Sequence, residues 1–369
     1  MKNVPILRAA AVVACVACLT VGCSKGGEPP ALTTSDAAPR GSTAPTERGV
    51  ALGLFASDPG YDYGHLLDEI QATGASDVLI AVVWAQQRVD SARVHRSHRP
   101  TTTTANDATV LRTLRQARDR SLRVTLFPIV RLEEHRADEW RGRIAPLAGV
   151  DAWFSSYSDY LLVMADLAQQ GGAQRLSVGS ELLSMERHER HWRALIARVR
   201  GRFDGALLYS ANWDHYEPLR FWDALDAIGV TAYFELAPDP RNNKSNDDDD
   251  LLRAWVAPRR ALLDFARRQR KPLVLTEVGY PSRTTAAWHP WDETARADLD
   301  VALQARLYRA FCASWKHTDV AGFYVWNWFG FGGDNDGGYT PRGKPAAQAL
   351  ARCLADKAWD GPMSATTAR

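Results

Sequence analysis

The chain has 369 residues, of which 46% are hydrophobic and 24% are charged, a composition that excludes a disordered or low-complexity protein. Its formal net charge is +2, and basic and acidic residues balance once residues 1–22, which contain two basic residues, are left out. A nucleic-acid-binding domain would carry a basic excess, so that class is excluded as well. The 13 tryptophans offer flat apolar faces, which suit sugars as well as protein cores.

The first 22 residues have the pattern of an export signal. Two basic residues precede an apolar run from Ala9 to Val21, which is too short for a permanent membrane-spanning helix. The run ends at Gly22-Cys23 and resembles a bacterial lipobox, in which cleavage before the cysteine is followed by lipidation of its thiol, although Thr20 stands where leucine is usual. The pattern predicts a lipoprotein signal peptide at 1–22 and a lipid on Cys23, with an ordinary secretory signal as the alternative.

The next segment, residues 23–48, is rich in proline, serine, threonine, glycine and alanine and almost lacks large apolar side chains. This composition predicts a disordered, flexible tether between the lipid and a globular domain. The protein is therefore expected to be exported and anchored to a bacterial membrane through its lipid, on the periplasmic or the cell-surface face.

Five cysteines are present, but Cys15 and Cys18 would leave with the signal peptide and Cys23 would carry the lipid. Only Cys312 and Cys353 would remain in the globular domain, each in a predicted helix. Neighbouring helices could bring them into a disulfide, and two buried free thiols are an equally open alternative.

From Gly49 onwards, eight short apolar runs alternate with amphipathic stretches that are long enough for the helical crossovers of parallel strands. The predicted strands are Val50–Phe55, Val78–Trp84, Val124–Val130, Arg175–Gly179, Ala206–Ala211, Ala227–Phe234, Leu273–Val278 and Gly322–Trp328. Among the predicted helices are Asn106–Arg120, Trp153–Gln170, His191–Phe203, Leu251–Arg270 and Leu299–Trp315. No glycine-rich nucleotide loop follows the first strand, which argues against an open doubly wound sheet. The sequence therefore predicts an α/β fold, a single (β/α)8 TIM barrel over 49–358, followed by a C-terminal tail, 359–369.

Two carboxylates stand at the predicted ends of the fourth and seventh strands. Glu181 follows the run that ends at Gly179, and Glu277 follows the apolar residues that begin at Leu273. Barrel enzymes place their catalytic groups at the carboxyl ends of the strands, so the two glutamates would face each other across the barrel mouth. Each alone could instead be a structural carboxylate paired with a basic residue.

Two facing carboxyl groups supply what glycoside hydrolysis needs. One protonated carboxyl donates its proton to the leaving oxygen, and one ionised carboxylate attacks the anomeric carbon. A retaining enzyme requires a separation of about 5 to 5.5 Å between the two groups, against about 6.5 to 9.5 Å for an inverting one.

Six motifs occur along the domain in a specific order and spacing. They are Ser180-Glu181-Leu182, Tyr209-Ser210-Ala211-Asn212-Trp213-Asp214, Phe221-Trp222, Gly229-Val230-Thr231-Ala232-Tyr233-Phe234, Thr276-Glu277-Val278-Gly279-Tyr280 and Gly338-Tyr339-Thr340-Pro341-Arg342-Gly343-Lys344-Pro345-Ala346. With these motifs the sequence resembles the clan A glycoside hydrolases, and more closely glycoside hydrolase family 113, a group of β-mannanase-like barrels. The resemblance implies a retaining double displacement on β-mannan or manno-oligosaccharides, with Glu181 as the general acid/base and Glu277 as the nucleophile.

This mechanism requires a raised pKa for Glu181, while Glu277 stays ionised with the help of donors such as Tyr233 or Arg131. Clan A barrels often place a tyrosine after strand six against the nucleophile, which makes Tyr233 the first candidate, with an ordinary core-edge tyrosine as the alternative. Many clan A enzymes have asparagine before the acid/base to bind the 2-hydroxyl of the sugar. Ser180 stands there instead, which leaves the sugar open.

Further sugar-binding candidates lie at the predicted strand ends, where an indole face can stack on a pyranose ring. Alternation along the last strand would send Trp326 and Trp328 to the same side, and plain core packing is the alternative for each tryptophan. The substrate-binding candidates are Trp84, Arg131, Ser180, Asn212, Trp213, Tyr233, Trp326 and Trp328.

Neither a metal nor a cofactor is predicted. His188 and His191 are three residues apart, whereas a zinc-protease helix spaces its histidines by four. Glu186 is a minor rival to Glu181 as the acid. The alternatives to hydrolysis are a non-catalytic glycan-binding lipoprotein and a transglycosylase on the same barrel. The expected partner is an oligo- or polysaccharide, and the chain is expected to be a monomer.

Overall fold

The computed structural model describes residues 45–136, 138–237 and 247–360. The predicted signal peptide, Cys23 and all but the last four residues of the predicted tether lie outside these ranges. Of the predicted tail, Trp359 is 5% exposed and donates its indole N–H to the carbonyl of Cys353, so it packs with the domain.

Eight parallel strands form a closed barrel, which confirms the predicted fold class. The nine strands are β1 (Glu47–Gly53), β2 (Asp77–Gln86), β3 (Val94–His95), β4 (Arg123–Leu132), β5 (Arg175–Ser180), β6 (Ala206–Asn212), β7 (Ala227–Thr231), β8 (Leu273–Val278) and β9 (Gly322–Val325). Sheet order is β1-β9-β8-β7-β6-β5-β4-β2, and β1 pairs in parallel with both β9 and β2, which closes the ring. The two-residue β3 is an antiparallel addition at the end of β2, outside the barrel.

Helices surround the barrel as crossovers between its strands. They are α1 (Gly64–Ala72), α2 (Asp107–Asp119), α3 (Val150–Gly171), α4 (Glu189–Arg200), α5 (Asp248–Ala254), α6 (Val256–Gln269), α7 (Val301–Trp315) and α8 (Pro345–Leu354). The predicted single helix Leu251–Arg270 is interrupted at Trp255 and forms the end of α5 and all of α6. The reason is Pro258, which has no N–H to bond the carbonyl four residues earlier and is tolerated only in the first turn of a new helix.

Buried apolar side chains form two layers, one inside the barrel and one between the barrel and the helices. Along β2, Ala81 and Val83 belong to the inner layer, whereas Val82 and Trp84 belong to the outer layer. This alternation is the two-residue period of a strand that is buried on both faces. At the barrel mouth, the inner layer ends in aromatic side chains, among them Tyr233, Trp326 and Tyr339.

Three predicted strands end earlier than expected, the first of them at Gly53 instead of Phe55. The sixth barrel strand, β7, stops at Thr231 instead of Phe234, and the eighth, β9, stops at Val325 instead of Trp328. Beyond these points the backbone leaves the ladder, although single bonds continue, such as that from Ala232 N–H to the carbonyl of Glu277. The residues that follow β7 and β9 stay buried, Tyr233 and Trp326 in the inner layer and Phe234 and Trp328 in the outer layer. The apolar run therefore overstates the strand length.

Cys312 in α7 and Cys353 in α8 form a disulfide, with Cα atoms 6.0 Å apart. The bond joins two helices that pack side by side and closes a loop over a sequence separation of 41 residues. Of the two alternatives that the sequence leaves open, the structure thus contains the disulfide. Within the described ranges, no helix has the length and apolarity that crossing a membrane would require.

Candidate active site

Glu181 lies directly after β5, in a left-handed backbone conformation with φ of +54°. Residues other than glycine rarely adopt this conformation, and where they do the surrounding contacts must hold them in it. Its side chain is 11% exposed and accepts two hydrogen bonds. One comes from Arg141 Nη2 at 2.5 Å to Oε2, and the other comes from Thr231 Oγ1 at 2.7 Å to Oε1. Glu181 is therefore a buried carboxylate with both oxygens bound.

Glu277 is the penultimate residue of β8 and is 2% exposed. Its Oε2 accepts the hydroxyl of Tyr233 at 2.7 Å, which is the contact that the family resemblance implies for this tyrosine. Its Oε1 is buried and has no hydrogen-bond partner among the described residues. Oε1 of Glu277 is thus the only carboxylate oxygen of the pair without a hydrogen bond among the described residues.

One residue links the two carboxylates. Thr231 of β7 donates to Glu181, and its backbone is paired in register with Glu277 on β8. The pairing of β7 with β8 and that of β5 with β6 both shift register at this level. Such irregularities re-aim side chains locally, and here they occur on the two strands that carry the carboxylates. The two glutamates thus meet at one site, at the carboxyl end of the barrel.

The pKa of Glu277 is raised to about 8, first because the side chain is fully buried and second because the charge of Glu181 lies nearby. Arg141 and the Tyr233 hydroxyl oppose this shift. The sequence predicts the raised pKa on Glu181 instead. It predicts an ionised Glu277, and the difference arises because this carboxyl is buried with one oxygen that has no hydrogen-bond partner among the described residues. Two neighbouring carboxylates repel each other, which favours a proton on the pair, and double displacement requires one proton there.

Replacing Glu277 by glutamine is expected to raise the melting temperature, and by more at pH 8 to 9 than at pH 4. In the unfolded chain the carboxyl loses its proton near its ordinary pKa of 4.5, whereas the folded protein keeps it up to about pH 8. Folding takes up this proton between the two values, so the free energy of unfolding falls as the pH rises through that window and is constant above it. The shift corresponds to at most about 5 kcal/mol. Thermal melts of both proteins across pH 4 to 9 measure the effect.

The exposed carboxylate Glu217, whose side chain is 65% exposed, supplies the control for these melts. Glu217→Gln should follow the wild-type melting temperature at every pH, because an exposed ion pair contributes little to stability. A Glu277→Gln variant that is less stable than wild type at pH 8, or whose gain does not grow with pH, would contradict the burial cost assigned to Glu277.

Several predicted substrate-binding residues line the barrel mouth around Glu181 and Glu277. Arg131, at the end of β4, places its guanidinium 4.5 Å over the ring of Phe55, and burial lowers its pKa. Phe55 in turn contacts Trp326, with ring centroids 6.2 Å apart. Trp213, directly after β6, is half-buried and stacks on Trp291 at 5.7 Å. Arginine and aromatic rings around one opening form the kind of surface on which sugar rings stack.

Two predicted polar substrate contacts, Ser180 and Asn212, lie at the same level of the barrel as the two glutamates. Ser180 is the last residue of β5 and is 2% exposed, and its hydroxyl is buried without a hydrogen-bond partner among the described residues. Asn212 is the last residue of β6, half-buried and paired in register with Thr231. Both therefore lie beside the carboxylates.

Trp84 and Trp328 are not brought to this mouth. Trp84 points outward from β2, where Tyr160 stacks on its ring at 4.6 Å and the Arg96 guanidinium lies 4.6 Å from the ring centroid. It lines a separate surface pocket of about 590 Å³. Trp328 lies in the outer layer and donates its indole N–H to Glu69 of α1. The expectation that Trp326 and Trp328 share a side fails because β9 ends at Val325, before the alternation reaches them.

Sequence reasoning missed three residues of the site. Arg141 begins a short 3-10 helix, Arg141–Arg143, between β4 and α3, where no periodic pattern marks its position. Thr231 and Tyr339 lie within two of the motifs that carry the family resemblance, and their place in these motifs is the signal that could have found them. Tyr339 is 6% exposed, and its ring lies 6.0 Å from that of Tyr233.

Glu186, the rival acid, is turned away from the barrel mouth. Its Oε1 accepts the hydroxyl of Tyr209 at 2.7 Å, and its Oε2 lies 2.9 Å from His215 Nδ1. Both oxygens are therefore occupied by protein donors. Within the part of the chain that the structure describes, no cluster of three or more histidine, cysteine or acidic side chains is suited to hold a metal ion.

Comparison with known proteins gives one family and one set of structures. The model of Glycoside Hydrolase Family 113 matches residues 61–332. The chain is similar to the family 113 β-mannanase AaManA from Alicyclobacillus acidocaldarius, solved in complex with ManMIm, with 27% identity and a TM-score of 0.73 over 84% of this chain and 97% of that one. It also shares its fold with a family 113 β-1,4-mannanase solved as a complex, with 23% identity and a TM-score of 0.73 over 85% of this chain and 100% of that one. No curated protein sequence matches the chain.

Proposed function

The chain belongs to glycoside hydrolase family 113 and is a glycoside hydrolase, and from this premise we propose that it cleaves β-mannan or manno-oligosaccharides with retention of configuration. Glu181 acts as the general acid/base and Glu277 as the nucleophile. The observation that carries the proposal is the meeting of two buried carboxyls at the carboxyl end of the barrel, one bonded to Arg141 and the other to Tyr233.

The first step of the proposed reaction forms a glycosyl ester on Glu277. In the reacting form the proton of the pair is on Glu181, so the carboxylate of Glu277 attacks the anomeric carbon while Glu181 gives its proton to the departing glycosidic oxygen. In the second step Glu181 takes a proton from water, the resulting hydroxide attacks the anomeric carbon, and Glu277 leaves as a carboxylate. The Tyr233 hydroxyl, 2.7 Å from Oε2, stabilises the charge that Glu277 carries before the first step and regains after the second.

The proposed substrate rests on the relatives and on the residues around the mouth. The two relatives are named as β-mannanases, and one was solved with the ligand ManMIm. In this chain, the rings of Trp213 and Trp326 and the guanidinium of Arg131 offer stacking and hydrogen-bonding contacts for a chain of pyranose units. The buried, unpartnered hydroxyl of Ser180 is placed to bond a sugar hydroxyl beside Glu181.

Hydrolysis of a panel of β-manno-, gluco- and xylo-oligosaccharides by the full-length protein tests this proposal. Proton NMR of the first product should show the β-anomer before mutarotation, because two successive inversions retain configuration. An α-anomer appearing first would exclude double displacement. Binding of an oligosaccharide without any cleavage would instead favour a glycan-binding lipoprotein.

We also propose that the protein is exported and held at a bacterial membrane by a lipid on Cys23. Support comes from the sequence alone, through the apolar run that ends at Gly22-Cys23 and the following segment rich in small and polar residues. Cys23→Ser should shift the protein from the membrane fraction to the soluble fraction, since a lipid chain supplies the membrane affinity. Unchanged fractionation of this variant would contradict the anchor.

A further inference from the structure

A chain of buried hydrogen bonds begins at the backbone next to Glu181. The N–H of Leu182 donates to the hydroxyl of Tyr209 at 2.9 Å, and this hydroxyl donates to Oε1 of Glu186 at 2.7 Å. Oε2 of Glu186 is bonded in turn to His215 at 2.9 Å. Tyr209 is 0% exposed and Glu186 is 4% exposed, so water cannot replace these partners.

Glu181 itself makes a second backbone bond on its other side. Its N–H donates to the carbonyl of Ser210 on β6 at 2.9 Å. The peptide units before and after the Cα of Glu181 are therefore both held by β6, one by its backbone and one by the side chain of Tyr209. These two bonds fix φ and ψ at a residue whose φ of +54° is unfavourable for a side chain of this size.

The ring of Tyr209 is held as tightly as its hydroxyl. Trp192 and Phe221 pack edge-on against it, with ring centroids 5.2 and 5.5 Å away. On the side of β5, a side chain at Gly179 would come within 2.8 Å of the Tyr209 ring, so only glycine leaves room for it. The hydroxyl therefore has one position, directly under the turn that carries Glu181.

We infer that Tyr209, held by Glu186, is a positioning residue that keeps Glu181 in its left-handed conformation and so aims the acid/base carboxyl at the glycosidic oxygen. This inference rests on the proposed role of Glu181. Tyr209 takes no part in proton transfer to substrate, since its hydroxyl is bonded on both sides within the protein. Glu186 acts one step further out, because it accepts the Tyr209 hydroxyl and is itself bonded by His215.

Tyr209→Phe removes only the hydroxyl. Comparing two substrates of this variant separates a misplaced Glu181 from a general loss of the fold. On mannohexaose, kcat should fall about 10- to 100-fold, because a small misplacement of a catalytic group costs up to about 100-fold. On 2,4-dinitrophenyl β-mannoside, kcat/KM should change by less than about threefold, because this leaving group departs without a proton and needs no general acid. The full-length protein is used for both substrates.

Tyr160→Phe is the matched control. It also removes a buried tyrosine hydroxyl, one that bonds the carbonyls of Val82 and Ile129 and not the Glu181 turn. It should leave the ratio of the activities on mannohexaose and on 2,4-dinitrophenyl β-mannoside unchanged. Two variants at Glu186 extend the test if Tyr209→Phe does not fold. Glu186→Gln keeps an acceptor for Tyr209 and should stay close to wild type, whereas Glu186→Met removes it and should show the selective loss on mannohexaose.

A crystal structure of Tyr209→Phe supplies a readout that does not depend on activity. The inference requires that Glu181 leaves its left-handed conformation or that its carboxyl moves. An unchanged Glu181 would overturn it, and so would equal losses on the two mannosides. If the wild-type protein cleaves no glycoside at all, the proposed function fails, while the position of Glu181 in the variant still decides the structural role of Tyr209.

Discussion

Glu277→Gly is expected to reduce hydrolysis of manno-oligosaccharides by about 10⁴-fold or more, because it removes the atom that attacks the anomeric carbon. The variant leaves a small cavity on β8 where the buried carboxylate stood. Azide is small enough to enter such a space, and with 2,4-dinitrophenyl β-mannoside it should attack directly. The product should then be α-mannosyl azide, since one displacement inverts configuration.

The anomeric form of this azide product identifies the role of Glu277 independently of rates. A nucleophile variant must give the α-azide, whereas loss of an acid/base leaves the glycosyl ester intact and gives the β-azide. Glu69→Gln serves as the control, since Glu69 binds Arg342 and Trp328 on the outer side of the barrel and should retain activity without azide. A Glu277→Gly variant that yields the β-azide would reverse the proposed assignment of the two glutamates.

The barrel could be predicted from the sequence because its signal is repeated eight times. Each strand is buried on both faces and reads as a short apolar run, and each crossover reads as an amphipathic stretch. Strand ends were less predictable. The residues after Thr231 and Val325 are apolar because they stay buried in the inner or the outer layer, so hydrophobicity alone continues the strand past its last ladder bond.

The carboxylates of the site were predictable from strand position, whereas their environment was not. A glutamate directly after an apolar strand is visible in the sequence, but its ion-pair partner Arg141 lies 40 positions earlier, in a short 3-10 helix that no periodic pattern marks. The raised pKa of Glu277 results first from its burial and second from the nearby charge of Glu181, and both depend on the folded arrangement. The same limit applies to the tryptophans. Trp84 and Trp326 both lie near strand ends, but the side chain of Trp84 belongs to the outer layer and that of Trp326 to the inner layer at the barrel mouth. Hydrophobicity does not distinguish these two directions.

The loss of activity in Glu181→Ala is expected to depend on the leaving group of the substrate, which is the signature of a general acid/base. Hydrolysis of mannohexaose should fall by about 10²- to 10⁴-fold, because a sugar leaving group needs a proton. With 2,4-dinitrophenyl β-mannoside, the glycosyl ester should still form on Glu277, and a burst of dinitrophenol equal to the enzyme concentration should precede slow turnover. The slow step is then attack by water without a general base.

Azide should relieve that slow step, because an anion needs no deprotonation to attack the ester. Its product should be β-mannosyl azide, since the ester forms with one inversion and azide adds a second. Arg141 sharpens the test, because in Glu181→Ala its guanidinium loses the carboxylate 2.5 Å away and faces the site as an unpaired cation that attracts azide. The double variant Glu181→Ala, Arg141→Met should keep the burst but need more azide for the same rate. An equal loss on mannohexaose and on the dinitrophenyl mannoside, with no response to azide, would remove Glu181 from the acid/base role.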